Sequence, residues 1–157
     1  MTGLEFPDIS PIMFSIGPVA VRWYSMAYLF GILAGWYLIN RNVKKYDLGL
    51  SRTNVEDMVF YLTLGIILGG RLGYVLFYGK GYFWENPLRI LEIWQGGMSF
   101  HGGVLGVVAA LWLFARKINY GFLRLTDLVV LYAPIGIFCG RLANFVNDEL
   151  WGRITDV

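Results

Sequence analysis

Four stretches of this chain are each long and apolar enough to cross a lipid bilayer, and that constrains its architecture more than any single motif does. They run about 19–39, 58–78, 98–115 and 125–145, close to the ~20 residues that a crossing needs. In hydrocarbon every backbone N–H and C=O must be paired within the protein, so such stretches are expected to be helices. Only 15% of the 157 residues are charged, against about 25% in soluble domains. The expectation is an all-α fold: a polytopic transmembrane helix bundle with four spans, forming one integral-membrane domain over residues 1–157.

The loops orient the bundle. The segment after the first span carries Arg41, Lys44, Lys45 and Arg52, and the one after the third carries Arg116, Lys117 and Arg124. The segment after the second holds Lys80 and Arg89, diluted by Glu85 and Glu92. Basic loops stay cytoplasmic, which puts the N-terminus and everything after Phe145 on the outer side. Phe6-Pro7-Asp8-Ile9-Ser10-Pro11 reads as a proline-punctuated lead-in along the interface. Asp127 reads as a charge at the helix N-terminus on the inner side, favoured by the helix dipole. Each span also carries glycines four apart: Gly31 and Gly35; Gly65, Gly69 and Gly73; Gly102 and Gly106; Gly136 and Gly140. That spacing lets helix backbones approach closely in lipid. Pro134 is expected to kink the fourth span.

Composition also excludes. A net charge of +2 is too small for a nucleic-acid footprint. Cys139 is the lone cysteine, and no His/Cys/Asp/Glu cluster has metal-ligand spacing. There is no nucleophile elbow and no phosphate-cradling loop. No metal and no cofactor are expected.

The unusual polar residues converge on one layer. With this orientation Tyr24, Arg71, His101, Arg141 and Asn144 all fall in the outer half of the bundle. Arg141 and Asn144 are three apart and share a helix face. Arg71 lies about two turns inside its span, where an unpaired charge costs on the order of 2.5–3.5 kcal/mol, and no acidic residue lies in the outer half of any span. A phosphate would serve as its partner, since arginine binds phosphate bidentately and keeps its charge. His101, the only histidine, can take and give a proton near neutral pH. Two arginines, an asparagine and a proton-handling group opening to the outer leaflet suit a lipid head group.

Three segments carry a specific resemblance. They are Phe100-His101-Gly102-Gly103, the run from Gly69-Gly70-Arg71 to Tyr78, and Gly140-Arg141-Leu142-Ala143-Asn144-Phe145 continuing to Glu149-Leu150-Trp151-Gly152-Arg153. With Ile16-Gly17-Pro18-Val19 and Arg22-Trp23-Tyr24, they resemble the phosphatidylglycerol–prolipoprotein diacylglyceryl transferases over nearly the whole chain. The resemblance implies a bacterial plasma-membrane enzyme acting on its outer, periplasmic side. It would move the diacylglyceryl group of phosphatidylglycerol onto the lipobox cysteine of a prolipoprotein signal peptide, forming a thioether and releasing glycerol phosphate. It implies a catalytic part for His101, Arg141 and Tyr24. It implies substrate binding by Asn144, Gly102, Gly103, Glu149, Gly152 and Arg153, to which the reading of the residues adds Arg71.

The family is seven-spanning and four spans are found here, so the chain reads as its N-terminal portion. Ala143 and Asp148 stand where the family usually has glycine, and Asp148 is expected to need a backbone conformation that glycine takes more easily. Two other classes are open on the sequence: an inactive or phospholipid-binding membrane subunit, and half of a small transporter. The clustering of polar residues in the outer half counts against the transporter, which needs them spread through the membrane depth.

Overall fold

The computed structural model describes residues 9–17, 19–79, 81–93 and 96–149. The chain forms two compact units, one of Met1–Leu38 with Leu131–Val157 and one of Ile39–Val130. The lead-in at residues 6–8, and Gly152 and Arg153, lie outside the described residues.

The first unit opens with a hairpin, which corrects the all-helical expectation. Strands β1 (Ile12–Ile16) and β2 (Val19–Arg22) pair antiparallel, Ile16 opposite Val19 and Ile12 opposite Arg22. The signal was in the sequence: β-branched and aromatic residues flank Gly17-Pro18, and Gly17 turns the chain at φ +58°. Helix α1 (Trp23–Lys45) therefore starts at Trp23, where the Trp23 N–H is held by the Pro11 carbonyl at 3.2 Å. Helix α6 (Ala133–Val146) begins with Pro134 in its first turn. Gly31 of α1 meets Gly136 of α6 so closely that a Cβ on Gly31 would stand 3.0 Å from the Gly136 Cα. Gly35 and Gly140 face open space, so only one glycine of each expected pair packs.

The second unit is built on α2 (Arg52–Tyr78) and α4 (Phe100–Lys117). Ser51 caps α2, its Oγ accepting from the Asn54 N–H at 3.0 Å. Gly65, Gly69 and Gly73 of α2 lie against Gly102 and Gly106 of α4. A Cβ on Gly73 would sit 2.8 Å from the Gly102 Cα, and one on Gly69 would sit 2.7 Å from the Gly106 Cα. Val55, Met58 and Phe114 close the seam's inner end and are fully buried. Asp57 pairs with Lys117 across the two helices at 2.9 Å. Helix α5 (Phe122–Val130) buries Leu125 and Leu128. It starts five residues before Asp127, which is thus beyond the first turn where a helix dipole acts.

Many large apolar side chains point out of both units, while glycines line the α2–α4 seam. Leu68, Leu72, Leu76 and Phe77 of α2 are exposed, as are Leu105 and Leu113 of α4. In water this arrangement is unfavourable; in hydrocarbon, where close backbone packing drives helix association, it is the expected one. Among the described residues α2 alone is long and apolar enough to span. Helices α5 and α6 together also pass that test, interrupted at Leu131 and Tyr132.

Three helices end in the same way. Asp47, Asn119 and Asp148 take positive φ (46°, 53° and 55°). The next residue's N–H returns to the carbonyl five residues back: Leu48 to Val43, Tyr120 to Ala115, Glu149 to Asn144. This left-handed stop usually takes glycine, with aspartate or asparagine the tolerated substitutes. The expectation for Asp148 therefore holds.

Candidate functional site

In the first unit, the start of α1 and the end of α6 carry four of the predicted residues. Tyr24 is the second residue of α1, and its ring tilts against Tyr28 one turn on, with centroids 5.2 Å apart. Arg141 and Glu149 are both within electrostatic reach of the Tyr24 hydroxyl. Glu149 gets there through the left-handed stop: its N–H bonds the Asn144 carbonyl at 2.8 Å, folding the chain back over the last turn of α6. Arg141 is exposed and makes no hydrogen bond or ion pair among the described residues. Asn144 is buried, and its Oδ1 has no partner among the described residues. A buried acceptor without a donor costs about 1–3 kcal/mol. Three apart on α6, Arg141 thus offers an exposed guanidinium and Asn144 a buried amide oxygen, neither with a hydrogen-bond or ion-pair partner among the described residues.

Asn147 was missed in the sequence. It lies three residues after Asn144, a spacing that puts both on one helix face. Its Nδ2 reaches Glu149 Oε1 at 3.5 Å, and its Oδ1 is buried without a partner among the described residues.

In the second unit, Arg71 on α2 and His101, Gly102 and Gly103 on α4 stand on either side of the connector between those helices. The connector contains α3 (Tyr82–Glu85), a 3-10 turn over Pro87–Leu91, and Gly96 and Gly97 at φ +84° and +82°. Arg71 is 6% exposed, and its partners are all main-chain carbonyls. Nε donates to Ile90 at 2.8 Å, Nη2 to Arg89 at 2.6 Å, and Nη1 to Gly96 at 2.6 Å and Gly97 at 3.3 Å. Its guanidinium also lies over the rings of Tyr74 (5.8 Å) and Phe83 (5.3 Å). The partner sought for this buried charge is therefore the chain itself rather than a phosphate. Arg71, Tyr74, Tyr82 and Arg89 help line a cavity of about 380 Å³.

The connector delivers the start of α4. The Ser99 N–H bonds the Gly70 carbonyl at 2.9 Å, and Ser99 Oγ caps α4 by accepting from the Gly102 N–H at 3.2 Å. A serine just before an apolar run is a start signal that the sequence carried. His101 lies on the first turn, exposed, its ring edge-on to Phe100 at 5.8 Å. Gly102 is buried against Gly73 of α2, while a Cβ on Gly103 would have its nearest neighbour, the Ile66 carbonyl oxygen, at 3.9 Å. Among the described residues no group of three His, Cys, Asp or Glu could hold a metal ion.

Comparison with known proteins gives this arrangement a context. The sequence model of the prolipoprotein diacylglyceryl transferase family matches residues 11–157. The chain is 52% identical over 151 residues to a phosphatidylglycerol–prolipoprotein diacylglyceryl transferase of Rickettsia canadensis, covering 96% of this chain and 58% of that protein. The same description applies to a Rickettsia felis protein, 52% identical over 98% of this chain and 59% of the relative. It applies also to an Aliivibrio salmonicida protein, 50% identical over 98% of this chain and 54% of the relative. The chain spans somewhat over half the length of these relatives.

Proposed function

Because the chain belongs to the prolipoprotein diacylglyceryl transferase family, we propose that it carries the N-terminal part of an enzyme that moves diacylglyceryl from phosphatidylglycerol to a prolipoprotein cysteine. The observation that supports this best is the pairing of Arg141, free of any acidic partner among the described residues, with the buried and unpartnered Oδ1 of Asn144. A glycerol phosphate head group supplies what both lack: an anion for the guanidinium and hydroxyl donors for the amide oxygen.

The chemistry is a displacement at carbon. A thiol ionises near pH 8.5 and attacks as the thiolate. His101 takes the cysteine proton, directly or through one water. The sulfur forms a C–S bond with the glyceryl carbon of the diacylglyceryl group. The C–O bond to phosphate breaks, and glycerol phosphate leaves with the bonding electron pair. Arg141 holds the phosphate as charge grows on the departing oxygen. Asn144 and Tyr24 orient the head group, with Glu149 beside them. Gly103, and at the chain's end Gly152 and Arg153, complete the binding surface.

The proposed setting is the bacterial plasma membrane, with four crossings, the basic segments 41–52 and 116–124 inside, and the reacting layer on the outer side. The second substrate is the lipobox cysteine of a prolipoprotein signal peptide.

The test mixes membranes containing this chain with phosphatidylglycerol and a lipobox peptide, and tracks the peptide's mass. A diacylglyceryl adduct that disappears with Arg141→Ala supports the reading. An undiminished adduct with Arg141→Ala removes Arg141 from the phosphate site. No adduct from a folded parent chain means that these residues do not suffice for transfer. For His101→Ala, lower turnover is expected; parental turnover in that variant rules out His101 as the base.

A further inference from the structure

We infer that Arg71 is a positioning residue for His101, acting by clamping the connector that starts α4 rather than by holding substrate. This deepens the proposed function and rests on His101 having the part given to it there. The argument begins with the fork of the guanidinium. One edge, Nε and Nη2, takes two consecutive carbonyls of the 3-10 turn, Ile90 and Arg89. The remaining nitrogen, Nη1, takes Gly96 and Gly97. Two segments of the connector, which a turn bond from the Gly96 N–H to the Ile93 carbonyl at 3.2 Å also draws together, are thus tied to one atom group on α2.

Beyond Gly97 the chain enters α4. The Ser99 N–H is bonded to the carbonyl of Gly70, the residue before Arg71. Ser99 Oγ caps the helix at the Gly102 N–H, and the Gly103 N–H bonds the Ser99 carbonyl at 2.9 Å. His101 sits inside this cap. The path from the guanidinium to the imidazole is Arg71, Gly96–Gly97, Ser99, His101, with a hydrogen bond or a stretch of main chain at each step. Gly97 is held from the other side as well: a Cβ there would stand 2.5 Å from the Tyr74 ring, the same ring that lies beside the Arg71 guanidinium. A phosphate ligand would have to displace carbonyls at 2.6–2.8 Å that already satisfy a buried cation.

The single histidine makes the proposal testable without activity. Chain carrying labelled histidine, reconstituted in phosphatidylglycerol-containing nanodiscs, gives one imidazole resonance. Arg71→Met should shift or broaden that resonance and raise amide exchange across residues 86–99. Gly97→Ala, which strains the same connector while leaving the Arg71 side chain in the chain, should do likewise. Arg71→Lys keeps the charge but loses the fork, and should resemble Arg71→Met. Lys117→Ala, at the far end of α4, should leave the resonance in place. In the transfer assay kcat should fall by about 10²-fold, as for a misplaced catalytic group, with KM for phosphatidylglycerol changed by no more than about twofold. An unmoved resonance in both Arg71→Met and Gly97→Ala overturns the inference, as does a raised KM with kcat intact and Arg71→Lys near parental. If the parent chain transfers nothing, these residues do not suffice for transfer, and the resonance still decides the clamp.

Discussion

Replacing Gly106 by alanine adds one methyl group at the tightest point of the α2–α4 seam, and the structure sets the size of the effect. The new Cβ would overlap the Gly65 carbonyl oxygen, stand 2.8 Å from the Gly65 carbonyl carbon and 3.0 Å from the Gly69 Cα. All three are backbone atoms, so no rotamer can relieve the clash. Non-bonded carbons are comfortable at about 3.5–4.0 Å, so the helices must part by about 1 Å. A gap of 0.5–1 Å forfeits about a quarter to a half of each contact's attraction, and the neighbouring approaches at Gly69 and Gly73 widen with it. Overpacking of this kind costs about 1–3 kcal/mol. Alanine's better helix propensity returns about 1 kcal/mol. The clash falls on backbone along a shared seam, which puts it toward the upper part of that range, and a net loss of up to about 2 kcal/mol is expected. Gly140→Ala is the control: nothing lies within 4 Å of its Cβ, so only the propensity gain remains. Far-UV circular dichroism of thermal unfolding in one detergent would compare them. Equal midpoints for Gly106→Ala and Gly140→Ala would refute the seam as a source of stability.

Three further outcomes rest on single contacts. Asp148→Gly should raise the unfolding midpoint, by about 1 kcal/mol in free energy, because glycine takes φ +55° without the side-chain penalty; a lower midpoint would mean that the Asp148 carboxylate contributes more than its backbone costs. The Lys117 ammonium is held above its usual value, 10.5, chiefly by its hydrogen bond to Asp57. Its folded pKa is raised, so its contribution is present below about pH 10.5 and fades as pH climbs through the folded value. Midpoints measured across that alkaline range should fall less steeply in Asp57→Asn than in the parent. Ser51→Ala should cost about 1 kcal/mol by removing the cap on the Asn54 N–H, read from the same unfolding curves.

The part that the sequence alone decided comes from short-range physics. Long apolar stretches favour helices because a helix pairs its backbone groups internally, and α1, α2, α4 and the α5–α6 pair each overlap a predicted span, although among the described residues only α2 and the α5–α6 pair have the length and hydropathy of a crossing. Pro134 announced a break, and it stands in the first turn of α6 after the interruption at Leu131–Tyr132. The departure at Asp148 announced a left-handed residue because a glycine position is a conformational requirement that one residue expresses by itself. The hairpin was equally local and was overlooked because an apolar run such as Val19–Arg22 reads the same in a strand as in the start of a helix.

The part that only the tertiary structure decided depends on residues far apart in the chain. All the glycine pairs look alike in sequence, yet Gly31 meets Gly136 while Gly35 and Gly140 meet nothing within 4 Å. Spacing says which residues share a helix face and not which face finds a partner. Arg71 is the sharper case. Its sequence context offered no acidic residue at its depth and pointed to a ligand. The fold instead bends the connector so that carbonyls 18 to 26 positions away converge on its guanidinium. Main-chain carbonyls occur at every residue, so no side-chain pattern marks the ones that will serve a buried charge. Only the path of the backbone selects them.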